Sequence, residues 1–130
     1  MLVLDASVAV AASYAPGGFE EFAGERLVAP PLLWSEGRSA LHELLWRGEI
    51  THEDAEQAHA NLESSPIERS RHRRLGIEAW RIAEEFGWAK TYDAEYVALA
   101  ALSGCRLVTL DARLVRATQR LGFVVGPSDL

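Results

Sequence analysis

The chain has one cysteine, Cys105, in 130 residues. No disulfide can close within it, which fits a reducing cytoplasm. Positive charge is scarce, with 13 lysines and arginines against 19 acids and a net charge of −6. That excludes a general nucleic-acid coat protein, whose affinity would rest on many phosphate contacts. It leaves room for an enzyme that holds nucleic acid locally with the help of metal ions. The apolar opening MLVLDASVAVAASY is short, lacks a basic start and carries Asp5, so it reads as neither signal peptide nor membrane span. No phosphate-cradling glycine loop exists, since Gly17-Gly18 marks only a turn. His42-Glu43 begins a zinc-protease pattern, but Trp46 stands where its second histidine is needed. His52 and His59 fall on a polar helix and read as solvated. Repeats, low-complexity segments and linkers are also missing, so residues 1–130 are expected to form one domain.

What is present is an alternation of short apolar runs with helical periods. Leu2–Leu4, Leu27–Ala29, Leu107–Leu110 and Phe123–Val125 read as buried strands. Helices are expected over Val8–Tyr14 with Ser7 as cap, Leu32–Trp46, a segment starting at Thr51, about Ser70–Phe86, Tyr92–Leu102, and the segment after Asp111. Thr51 and Asp54 match a capped start, and Gly104 stands where a helix gives way to a strand. Leu33, Gly37, Ala40, Leu41, Leu44 and Leu45 trace the inner face of the second helix. Arg81 is expected to pair with Glu84 or Glu85 on the wet side of its helix. Unbroken apolar strands alternating with helices belong to a parallel sheet covered on both faces, an α/β three-layer sandwich of four or five strands.

Four acids sit at the junctions of this pattern. Asp5 and Asp111 follow strands, Asp93 opens the apolar helix, and Glu36 lies in the first turns of the helix after a strand. In a parallel sheet all strand C-termini emerge on one edge, so residues distant in sequence can meet there. Carboxylates brought together raise one another's pKa unless a cation intervenes. Hard oxygen ligands of this kind suit Mg²⁺ or Mn²⁺, and such an ion can activate water for phosphodiester hydrolysis. Each acid alone reads equally well as a helix cap or a solvated residue; the set carries the argument.

That set, in the order strand-Asp, helix-Glu, helix-Asp, strand-Asp, resembles the PIN domain, most closely the VapC-type toxins of bacterial toxin–antitoxin pairs. The carriers are LVLDASV around Asp5, WSEGRSAL around Glu36, TYDAEYVALA around Asp93 and LVTLDARL around Asp111. The resemblance runs from Met1 nearly to the end of the chain. It implies a metal-dependent ribonuclease in which Asp5 and Asp93 are direct metal ligands and Asp111 a ligand directly or through water. Glu36 would position a metal water or a second metal. Thr109 matches a hydroxyl residue that family members often place two before the last Asp. The family pattern also implies an RNA substrate, a cognate antitoxin that occludes the site, and a homodimer. Ser39, where the family often has Asn, and Gly37-Arg38 depart from it.

Two basic faces remain. Arg69, Arg71, Arg73 and Arg74, with His72, are expected at the start of a helix, where they would oppose its dipole; they read as either a solvated turn or a contact for RNA phosphates. Arg113, Arg116 and Arg120 carry the same ambiguity. Four tryptophans and the apolar Leu32–Leu45 helix suggest an exposed interface stripe. Two rival functions fit less well. An aspartyl-phosphate transferase would want a second acid beside or two residues after Asp5, where Ala6-Ser7 supplies none. A non-catalytic dimerising module would use the acids only as caps.

Overall fold

The computed structural model describes residues 1–130. Five parallel strands form its sheet: β1 (Leu2–Leu4), β2 (Leu27–Ala29), β3 (Ile67–Arg69), β4 (Arg106–Val108) and β5 (Val124–Val125), in the order β3-β2-β1-β4-β5. The helices are α1 (Ala6–Tyr14), α2 (Leu32–Trp46), α3 (His52–Glu63), α4 (Leu75–Phe86), α5 (Tyr92–Ser103) and α6 (Ala112–Ala117). Between β1 and β3 the chain steps one way across the sheet; after β3 it crosses back to β4 and moves the other way. Right-handed crossovers therefore put α1, α2 and α3 on one face and α4, α5 and α6 on the other. The contacts agree: α1, α2 and α3 pack on one another, while α4 packs on α5, and α5 on β1 and β4. This is the expected three-layer sandwich.

The apolar strands are buried because helices cover both sides. Val3, Leu4, Leu107 and Val108 have no exposed surface. Helix α5 is buried from Tyr96 to Ala100 on every side of its middle turn, as a helix between a sheet and a neighbour must be. Gly37 has a packing reason: a Cβ there would meet Leu62 Cδ2 of α3 at 2.9 Å. The missing side chain lets α2 lie close on α3.

Several boundaries differ from the sequence expectation. Strand β3, absent from the sequence expectation, has one apolar residue and lies at the sheet edge with only Ile67 buried, so it has no hydrophobic run to announce it. Helix α4 consequently starts at Leu75 rather than Ser70, and the arginines before it form a strand end and a loop. Helix α1 is capped by Asp5, whose carboxylate accepts from Val8 N, not by Ser7. Strand β4 stops at Val108, leaving Leu110 exposed, and β5 begins at Val124. Arg81 pairs with Glu85, one of its two expected partners, and also with Glu78. On α2, Ala40, Leu44 and Leu45 are half-buried while Trp34 is buried. No helix is long and apolar enough to cross a membrane.

Candidate active site

The sheet reverses its direction of growth between β1 and β4, the adjacent strands whose onward connections lead to opposite edges. Crevices at such switch points, outside the strand C-termini, are where open α/β sheets bind ligands. Asp5 follows β1 directly, and Asp111 lies three residues beyond β4. The register sets Leu4 beside Val108, and Asp5 N continues the ladder to Val108 O at 3.2 Å. Thr109 is thereby placed against Asp5.

Asp5 is 7 % exposed, and three donors hold its carboxylate. The Thr109 hydroxyl donates to Oδ2, the Ser7 hydroxyl to Oδ1 at 2.5 Å, and Val8 N to Oδ1 at 3.2 Å. Both hydroxyls also accept: Thr109 Oγ1 from Asp111 N at 3.0 Å and Ser7 Oγ from Leu110 N at 3.1 Å. One hydroxyl thus ties the two strand-end aspartates together. Asp111 in turn caps α6, its Oδ1 accepting from Arg113 N at 2.9 Å and Leu114 N at 3.3 Å. Burial pushes the Asp5 carboxyl up, against the pull of its donors.

Glu36 and Asp93 have a different character. Asp93 is the second residue of α5, after a Thr91 that makes no side-chain cap. It caps nothing and accepts no hydrogen bond, although the helix N-terminus favours its charge. Its carboxyl is raised, first by desolvation and then by the charges of Asp111 and Asp5. Glu36 accepts a hydrogen bond at 2.5 Å from the hydroxyl of buried Tyr96. It too is raised, by burial first, with Asp93 and Asp5 adding repulsion against the Tyr96 bond. Glu36, Asp93 and Asp111 line one open cleft with Lys90, Arg113, Trp88 and Tyr92. Asp5 is not part of the cleft wall, but its charge acts on both Glu36 and Asp93.

All four sequence-predicted acids therefore gather at one place. The donors are oxygen only, which suits a hard divalent ion. No three acidic, histidine or cysteine side chains stand as a preformed metal cage; the fit is one of donor chemistry and mutual repulsion. Tyr96, Lys90 and Glu95, whose carboxyl is raised by burial and by Glu36, escaped the sequence reading, while Arg113, read there as either solvated or an RNA contact, lies on the cleft wall. Tyr96 had one signal: its hydroxyl is the only polar side-chain group between Glu95 and Leu102. The arginines behave otherwise. Arg69 ends β3, and residues 71–74 lie in the loop beyond it.

A parallel α/β sheet with a hydroxyl-braced aspartate pair at its switch point and two further acids in the adjoining cleft is an acid-edged α/β domain. The PIN domain pattern matches residues 2–119. Ribonuclease VapC9 of Mycobacterium tuberculosis is 36 % identical over 115 residues, 88 % of each chain. A VapC ribonuclease of Mycobacterium bovis matches to the same degree. The crystal structure of PAE2754 from Pyrobaculum aerophilum superposes with a TM-score of 0.76 at 25 % identity, covering 98 % of this chain and 84 % of that one. The chain belongs to the PIN domain family, on its VapC-type branch.

Two predictions follow from the bracing and the repulsion. Thr109→Val, which keeps the shape and removes the hydroxyl, should cost about 1–3 kcal/mol by urea unfolding, the penalty of a lost buried partner. Asp93→Asn should act in the opposite sense. The folded Asp93 carboxyl lies above its ordinary 3.8, so folded protein holds this proton more tightly than unfolded chain. Ionising it costs stability as pH rises through that window. Without added metal, the variant should melt with the wild type below pH 3.8 and above it at neutral pH. A variant that melts lower at neutral pH would contradict the repulsion.

Proposed function

We propose that this chain is a Mg²⁺- or Mn²⁺-dependent endoribonuclease, the toxin of a toxin–antitoxin pair. Its partners on this reading are an RNA substrate, a cognate antitoxin and a second copy of itself. Family membership and the ribonuclease names of the curated relatives support the activity. The observation that carries the metal assignment is Asp93. It caps nothing and bonds to nothing, and it sits in the field of two other carboxylates. Asp5 and Asp111 satisfy a purely structural account, since both cap helices. Asp93 and Glu36 do not, which weighs against the non-catalytic reading.

Asp5, Asp93 and Asp111 would hold the ion, and Glu36, fixed by Tyr96, would orient water beside it. A divalent ion so held supplies an activated water and stabilises charge developing on the phosphate oxygens. The chain's own residues do the rest. Thr109 and Ser7 hold Asp5 in place and favour its charged form against the pull of burial. Lys90 and Arg113, on the cleft wall, offset the acids and attract the RNA backbone.

Cleavage of RNA by the purified, partner-free chain with Mn²⁺ tests this. Asp93→Asn and Glu36→Gln should each lower kcat by at least the roughly 100-fold that losing an outer-shell partner can cost, while remaining folded. Full activity in both variants would refute the assignment.

A further inference from the structure

We infer that the loop joining β3 to α4, with Arg69, Arg71, Arg73 and Arg74, is a phosphate-binding track that delivers single-stranded RNA to the acidic cleft. This rests on the nuclease reading above and adds the surface that grips the substrate. Four of the chain's 13 basic residues fall within six positions, and none of the four pairs with a carboxylate. Five of the other arginines are paired: Arg26 with Glu68, Arg38 with Glu63, Arg47 with Glu43, Arg81 with Glu78 and Glu85, and Arg120 with Glu85. In a chain of net charge −6, these four form the densest run of unpaired guanidiniums. Lys90 and Arg113, in the cleft itself, are also unpaired.

The topology puts this loop in line with the site. Strand β3 runs parallel to β1, with only β2 between them, so its end lies roughly 10 Å from that of β1, two strand spacings. The loop therefore leaves the same sheet edge that carries Asp5. Ser70 N bonds to Ala29 O at 2.8 Å, pinning the loop to the end of β2. Arg69 places its guanidinium 4.3 Å from the ring centre of Trp34, a cation–π contact that orders the side chain without cancelling its charge. Trp34 is buried in α2 two residues before Glu36. The same helix turn thus anchors the track and carries a site acid. Arg71, Arg73 and Arg74 are exposed, and the planar guanidinium fork matches phosphate geometry.

Binding of a random-sequence single-stranded RNA pool of roughly 20 nucleotides, followed by fluorescence anisotropy in EDTA across a salt series, tests the track. For the wild type, log affinity should fall steeply with log salt. The Arg71→Gln, Arg73→Gln, Arg74→Gln variant should bind more weakly, with a slope shallower by about 2, at roughly 0.7 per lost single-strand phosphate contact. A control, Arg26→Gln, Arg47→Gln, Arg81→Gln, removes the same charge from paired arginines and should retain the wild-type slope. An unchanged slope in the loop variant, an equal loss in the control, or no wild-type binding overturns the track. Parallel cleavage with Mn²⁺ separates the two readings: cleavage with an unchanged slope sinks only the track. Loop-dependent binding without cleavage upholds the track and sinks the nuclease.

Discussion

A carboxylate almost wholly out of water at the end of the central strand is the constraint on which the site depends. Asp5 could not remain there ionised without donors, because the cost of burying an unpaired charge is large. The chain meets that cost with two hydroxyls and a helix N–H, and each hydroxyl is itself fixed by a backbone N–H from the segment after β4. The bracing of Asp5 and the closure of β1 on β4 are therefore one feature. Loosening one loosens the other, and with them the seat of Asp111.

The four acids divide into two kinds. Asp5 and Asp111 have structural work as caps, which fixes their positions before any ligand arrives. Asp93 and Glu36 are placed by what lies behind them, the α5 N-terminus and the Tyr96 hydroxyl, and their repulsion is left standing in the folded chain. A fold that keeps such repulsion loses stability, so the arrangement makes physical sense where a cation relieves it. On the proposed reading these acids would attract a divalent ion, and the basic residues on the cleft wall would complement a polyanion.

The α/β class, both central strands and all four acids were legible because each rests on a local signal: an apolar run, a helical period, a carboxylate at its boundary. Strand β3 was not, because an edge strand needs no hydrophobic run and Ile67-Glu68-Arg69 carries only one apolar residue. Its absence from the reading displaced the start of α4 and put the arginines on a helix they precede. Ser7 was misassigned because a serine and an aspartate two residues apart both make good caps, and only the β1–β4 register shows which carboxylate is enclosed. The Tyr96–Glu36 bond joins residues 60 positions apart, and no local pattern encodes it.

The central claim is that these carboxylates form a cation site, and calorimetric titration of the partner-free protein with Mn²⁺ tests it most directly. The wild type should bind the ion, and an Asp5→Ala, Asp93→Ala double variant that remains folded should not. Binding of equal strength by both, or no binding by the folded wild type, would contradict the account.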